Sequence, residues 1–245
     1  YFSFIHNLAV RRFKVSEGLL TAKEKKMALM LYYDLYISAG EYVSLQQMFN
    51  RLSEDDVFID EVCQLTEIMM SRCNALEQED NSVFRDSFPL KLHGVYTKAQ
   101  IQVAIETSTL EKMSSSREGC ERNTLNGIPM EAMFVDVIKD REEGSNTNYK
   151  DFAQSAVKFH WETQNSVRQE SPTGQSYIKG SREMLLFVRK QKNAAENKYR
   201  TLGYVYLGKV TLDKYAGNKP MQIVWNLKTP MPGSVYEYAA TLANV

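Results

Sequence analysis

The chain has 245 residues, 43% of them hydrophobic and 24% charged, with 30 basic and 30 acidic side chains that cancel to a net charge of zero. This length buries a proper core as one large domain or two modest ones, and the composition excludes a disordered or low-complexity chain. No apolar run approaches the roughly 18 residues that span a bilayer and no signal peptide is visible, so the expected setting is the cytoplasm without a membrane partner.

The three cysteines, Cys63, Cys73 and Cys120, lack metal-ligand spacing and suit reduced thiols better than a disulfide framework or a zinc site. The chain opens on Tyr1 rather than Met and reads as a piece cut from a longer protein. Its charge is unevenly spread. Residues 1–88 hold 9 Lys and Arg against 14 Asp and Glu, whereas residues 89–245 hold 21 against 16. An acidic part followed by a basic one predicts two units, the second better suited to a polyanion.

Residues 1–88 read as a helical connector subdomain. Thr21 and Glu24 have capping-box spacing, and Met27, Met30, Leu31, Asp34, Leu35 and Ser38 trace a mostly apolar face at steps of three and four. Ser44 can cap a short helix carrying Leu45, Met48, Phe49 and Leu52. A third helix is expected to bury Val57, Val62, Leu65, Ile68, Met69 and Leu76, with Asp55, Asp56 and Asp60 near its start, where the helix dipole favours acids. The boundary is placed near Pro89.

In residues 89–245, "YTKAQIQVAI" predicts a short helix behind Thr97. The pattern then changes to strands in "MEAMFVDVIK", "MLLFVRK", "LGYVYLGKVTL" and "MQIVWNLK", with Asn126-Gly127 and Gly217-Asn218 as turns. Strands without long intervening helices predict an α+β chain: a helical subdomain followed by a curled, barrel-like mixed sheet with small helices.

Motifs for chemistry are absent or illusory. Gly203 to Lys209 has the Gly-x4-Gly-Lys skeleton of a phosphate loop, but Val210 stands where a magnesium-binding hydroxyl is needed, and the interior Tyr-Val-Tyr-Leu reads as a strand. His160-Trp-Glu162 has half of a zinc-deaminase signature without any Cys-x-x-Cys. There is no Gly-x-Ser-x-Gly, and Glu196-Asn-Lys198 falls in a polar loop. Intrinsic catalysis is not expected, nor any cofactor.

The stretch "FHWETQNSVRQESPTGQSYI" (159–178) places bulky rings among hydrogen-bonding side chains. A nucleobase, with two apolar faces and a polar edge, fits such a set. Together with "YTKAQIQVAI", "LLFVRK", "YLGKV" and "PMQIVWNLKTPMP", this stretch resembles the C-terminal domain of type IV, modification-dependent restriction enzymes of the SauUSI kind, which lies behind a phospholipase-D-type nuclease and a DEAD/DEAH helicase. The resemblance covers roughly residues 89–245. It implies an SRA/PUA-like domain of a bacterial, cytoplasmic enzyme that recognises 5-methylcytosine or 5-hydroxymethylcytosine in double-stranded DNA by base flipping. The helicase and nuclease domains of the same chain would be its partners, and ATP and a divalent metal would belong to those domains alone.

A flipped base costs a few kcal/mol, and stacking returns roughly 1–3 kcal/mol per base. The base-pocket candidates are therefore Tyr149, Asp151, Phe152, His160, Trp161, Gln164, Asn165, Thr173 and Tyr177. Those for the DNA backbone are Arg168, Lys179, Arg182, Arg189 and Lys190. The plain readings stand beside these: Trp161, Phe152 and Trp225 as core, His160 as a satisfied structural histidine, Gln164 and Asn165 as loop caps, and the cations at 189–192 as a solvated strand end. The rival function is an assembly module holding the helicase and nuclease domains in register.

Overall fold

The computed structural model describes residues 1–73, 84, 87–116, 119–138 and 150–240. The chain divides into two compact units, Tyr1–Lys91 with Lys98–Ser116, and Leu92–Thr97 with Arg117–Val245.

The first unit is helical: α1 (Phe2–Val10), a 3-10 turn (Glu17–Leu19), α2 (Ala22–Leu35), α3 (Leu45–Leu52) and α4 (Asp56–Cys73), joined by α5 (Lys98–Ala104). The local signals do what their chemistry dictates. Thr21 Oγ1 accepts the Glu24 N–H at 3.2 Å while the Glu24 carboxylate accepts the Thr21 N–H at 2.8 Å, closing the expected capping box on α2. Ser44 caps α3 by accepting the Gln47 N–H at 3.2 Å. Helix α4 differs from expectation. It buries Ile59 and Thr66, the latter hydrogen-bonded to His6 of α1, and leaves Val57, Leu65 and Ile68 exposed. Two stripes of similar apolarity run along this helix. The one through Ile59, Val62 and Thr66 faces α1, so its neighbour through Val57, Leu65 and Ile68 faces out. Leu76 lies outside the described residues.

The second unit is built on one sheet. Its strands are β1 (Val95–Tyr96), β2 (Cys120–Leu125), β3 (Ile128–Asp136), β4 (Phe152–Ser155), β5 (Lys158–Glu162), β6 (Glu183–Arg189), β9 (Tyr204–Ala216) and β10 (Gln222–Leu227). Strands β7 (Asn193–Ala194) and β8 (Asn197–Thr201) pair separately, and α6 (Pro172–Ile178) and α7 (Gly233–Ala240) complete the unit. The sheet order is β2-β3-β6-β9-β10-β5-β4, with β1 added against β9. The β3–β6 pair is parallel and the other pairs are antiparallel.

The expectation of a curled, barrel-like sheet is overturned. Closure requires the terminal strands to meet, but β2 and β4 end the sheet on opposite sides, leaving it open and not strongly curled. One face is instead packed by α6 and α7 over a core that includes Met133, Leu186, Trp225 and Ile223, so the sheet buries this face without curling on itself.

Asn126 and Gly127, both at positive φ, form the two-residue turn of the β2–β3 hairpin and set its register at Leu125 opposite Ile128. The residues 204–210 lie in β9, so the phosphate-loop skeleton is indeed a strand. Phe152 begins β4, where it sits opposite His160.

Candidate functional site

Strand directions determine what can assemble. Gln222 pairs with both Glu162 and Ala216, Phe152 pairs with His160, and Met184 pairs with Val210. The start of β4, the end of β5, the end of β9 and the start of β10 therefore share one end of the sheet, while β6 starts beside Val210, short of that end, and is reached from it through the connection 163–182. Asp151, Phe152, His160, Trp161, Gln164, Asn165, Arg168, Thr173, Lys179 and Arg182 belong to the strand ends and connections there. Arg189 and Lys190 do not: they lie at the other end of β6, about 20 Å away at 3.3 Å per residue. Tyr149 lies outside the described residues.

The rings divide between the two faces of the sheet, as strand alternation requires. Phe152 and His160 stack at 4.6 Å with planes 16° apart, both half-buried, and His160 Nδ1 lies 2.8 Å from the Lys150 carbonyl. On the opposite face Trp161 is only 6% exposed. It packs edge-on against Tyr177 at 5.6 Å and lies 6.3 Å from Trp225, whose buried indole N–H finds no hydrogen-bond acceptor among the described residues. Asp151 is buried and accepts the Glu162 N–H at 2.9 Å, so its carboxylate fastens the start of β4 to the end of β5.

Gln164 and Asn165 are exposed on the loop after β5, and the Gln164 carbonyl accepts the Val167 N–H at 2.9 Å. The following helix is tightly specified. Ser171 accepts the Gly174 N–H at 3.1 Å and Pro172 supplies the preset φ of a first helical residue. Thr173 is half-buried and its carbonyl accepts the Ser176 hydroxyl. A Cβ on Gly174 would stand 2.0 Å from the Arg168 carbonyl oxygen. Gly174→Ala should therefore destabilise the protein by about 1–3 kcal/mol through overpacking, measured as a shift in the urea midpoint.

Sequence reasoning missed the most buried charge in this unit. Glu131 of β3 has no exposed surface. It receives Arg122 Nε at 2.8 Å, Arg122 Nη2 at 3.4 Å and the Tyr177 hydroxyl at 2.7 Å. Burial pushes the Tyr177 hydroxyl and the Cys120 thiol up, the Glu131 carboxylate adding to both, while the hydrogen bond to Glu131 raises the Arg122 guanidinium. The signal was available: a carboxylate inside an otherwise apolar run of the strand, with the Asn-Gly turn register placing Arg122 directly across from it.

Arg189 is likewise committed within the protein. Its guanidinium, nine-tenths buried, forms a fork with Asp136 at 2.6 and 2.9 Å, donates to the Leu202 carbonyl at 3.0 Å and lies 4.2 Å from the centre of the Tyr204 ring. Lys190, Lys179 and Arg168 are exposed, and Arg182 is half-buried. No helix among the described residues is long and apolar enough to cross a membrane, and no His, Cys, Asp and Glu cluster among them could hold a metal ion.

These features define an α+β chain in which one end of an open mixed sheet gathers rings, amides and cations. Residues 90–239, more than half of the chain, match the family described as a domain of unknown function (DUF3427), and the chain belongs to that family. No curated protein matches it. Among solved structures, SUVH6 of Arabidopsis thaliana in complex with SAM is similar over 96% of this chain and 41% of that one. Its identity is 8% and its TM-score 0.40, a likeness too loose to carry a functional argument.

Proposed function

We propose that the chain is a DNA-binding specificity module that reads 5-methylcytosine or 5-hydroxymethylcytosine by base flipping, for an ATP-dependent type IV restriction enzyme of the SauUSI kind. It performs no chemistry of its own; the helicase and nuclease domains of the same bacterial enzyme supply that. The resemblance in residues 159–178 and in the later strands motivates the reading. The observation that carries it is the half-buried Phe152–His160 stack beside the exposed amides and cations of the same sheet end.

Such a pair offers a flat face to an extruded base, and one stacking contact is worth roughly 1–3 kcal/mol. Arg168, Lys179 and Arg182 hold the flanking phosphates, and Gln164 and Asn165 meet polar base edges. Replacing both Phe152 and His160 by Ala should weaken binding to modified duplexes about 5- to 150-fold, the equivalent of that stacking energy. Binding to matched unmodified duplexes should be unchanged. An unaltered ratio between the two would remove this ring pair from recognition.

A second reading rests on α4. Val57, Leu65 and Ile68 lie exposed among Asp56, Asp60 and Glu61, a surface suited to an assembly module holding the helicase and nuclease domains in register. It predicts DNA binding that is weak and blind to modification.

A further inference from the structure

We infer that the loop 163–171 and the β9–β10 loop 216–221 form one preassembled surface that grips the phosphates of duplex DNA through Arg168, Lys214 and Lys219. The inference rests on the DNA-binding reading of this sheet end and adds to it the β9–β10 loop, which no sequence motif singled out as a contact.

Four cross-loop hydrogen bonds carry the first part of the argument. The Lys219 N–H donates to the Val167 carbonyl at 3.1 Å, and the Gln169 N–H donates to the Asn218 side-chain oxygen at 2.7 Å. The Gln169 side-chain amide donates to the Gly217 carbonyl at 2.8 Å, and the Met221 N–H donates to the Thr163 hydroxyl at 2.9 Å. Inward-facing polar groups are thereby satisfied by the partner loop, while Gln164, Arg168, Asn218 and Lys219 remain exposed. A surface held this way loses little further conformational entropy when it binds.

Charge supplies the second part. Residues 163–182 and 214–220 contain five basic side chains, Arg168, Lys179, Arg182, Lys214 and Lys219, and one acidic side chain, Glu170, in a chain of zero net charge. Elsewhere in this unit Arg122, Lys158, Arg189 and Lys209 each have a carboxylate partner. Among the described residues, none of these five cations forms an ion pair. The Lys219–Val167 bond brings the backbone of Lys219 next to the residue before Arg168, so the two loops present these cations on adjoining segments. Exposed cations gathered in this way favour a polyanion.

Backbone conformation supplies the third part. Lys219 has a φ of 56°, in the left-handed region where glycine or asparagine is the easy choice. A lysine held there is strained, as is common at binding sites. The exposed end of β9 also runs beyond the register of β6, which stops at Val210, so that Lys214 is flanked by β10 on one side but not by β6 on the other.

The test compares the 245-residue chain with a triple variant, Arg168→Gln, Lys214→Gln and Lys219→Asn, the last chosen because asparagine tolerates a positive φ. Each protein is titrated with matched duplexes, with and without 5-methylcytosine, across a salt series; thermal melts verify folding, and a Lys228→Gln variant serves as control. Three lost phosphate contacts should lower the slope of log affinity against log salt by about 2.7 and weaken both duplexes by roughly tenfold or more. The modified-to-unmodified ratio and the control should be unchanged.

If the unaltered chain shows no preference for modification but the triple variant still loses affinity, this surface stands and the modified-base reading falls. If the preference is real and the triple variant binds both duplexes as before, the surface inference falls and the reading stands. An effect on modified duplexes alone would make these residues base readers and overturn the phosphate role. So would binding by the unaltered chain to vesicles of anionic lipid but to no duplex, or to neither.

Discussion

Trp161→Ala should destabilise the protein by about 3–5 kcal/mol, the cost of a cavity left by a large aromatic side chain. The indole is only 6% exposed and is held between Tyr177, Trp225 and the aliphatic core. A domain of ordinary stability has about 5–15 kcal/mol to lose, so much of its margin would disappear. Urea unfolding gives the direct measurement. A change below about 1 kcal/mol would show that Trp161 packs less tightly than its surroundings imply. Because the substitution perturbs folding, loss of DNA binding by this variant would not distinguish a reading ring from a structural one. The half-buried Phe152 and His160 make that distinction.

Glu131→Ala should be the second large effect, about 3 kcal/mol, at the lower end of the range for breaking a buried pair. It strands the Tyr177 hydroxyl and the Arg122 guanidinium together. Arg122 is 41% exposed and can recover water, which limits the cost. Tyr177 is buried and cannot, so the consequence falls on α6. Tyr177→Phe alone should cost about 1 kcal/mol, since Arg122 still satisfies the carboxylate. In the double variant the two losses should fall short of their sum, because both remove the same bond. Strict additivity by denaturant titration would contradict the assigned network.

Helical caps and strands were legible because they depend on local chemistry. The Thr21–Glu24 box, the Ser44 cap, the Asn126-Gly127 turn and the strand around residues 203–210 form as their residues require. Sheet closure was not legible, because strand composition does not say whether the last strands meet or helices cover the face. On α4, two apolar stripes compete, and only the position of α1 decides between them. At the candidate site, the sequence located the rings but not their faces: register puts Phe152 with His160 and leaves Trp161 with Tyr177 on the other side. Arg189 looks like a surface cation in sequence, since nothing local shows that Asp136 stands beside it on the neighbouring strand. Lys219 was equally hidden, because its approach to the 163–171 loop exists only once the two loops meet.

The measurement closest to the central claim is an equilibrium titration of this chain with matched duplexes that differ only in 5-methylcytosine. It belongs near 0.15 M salt, where backbone attraction does not mask discrimination, and across several flanking sequences. The account predicts a clear preference for the modified duplex in at least one flanking context. Equal affinity, or none, in every context would contradict it and leave the acidic and apolar face of α4, with its assembly role, as the better account of the chain.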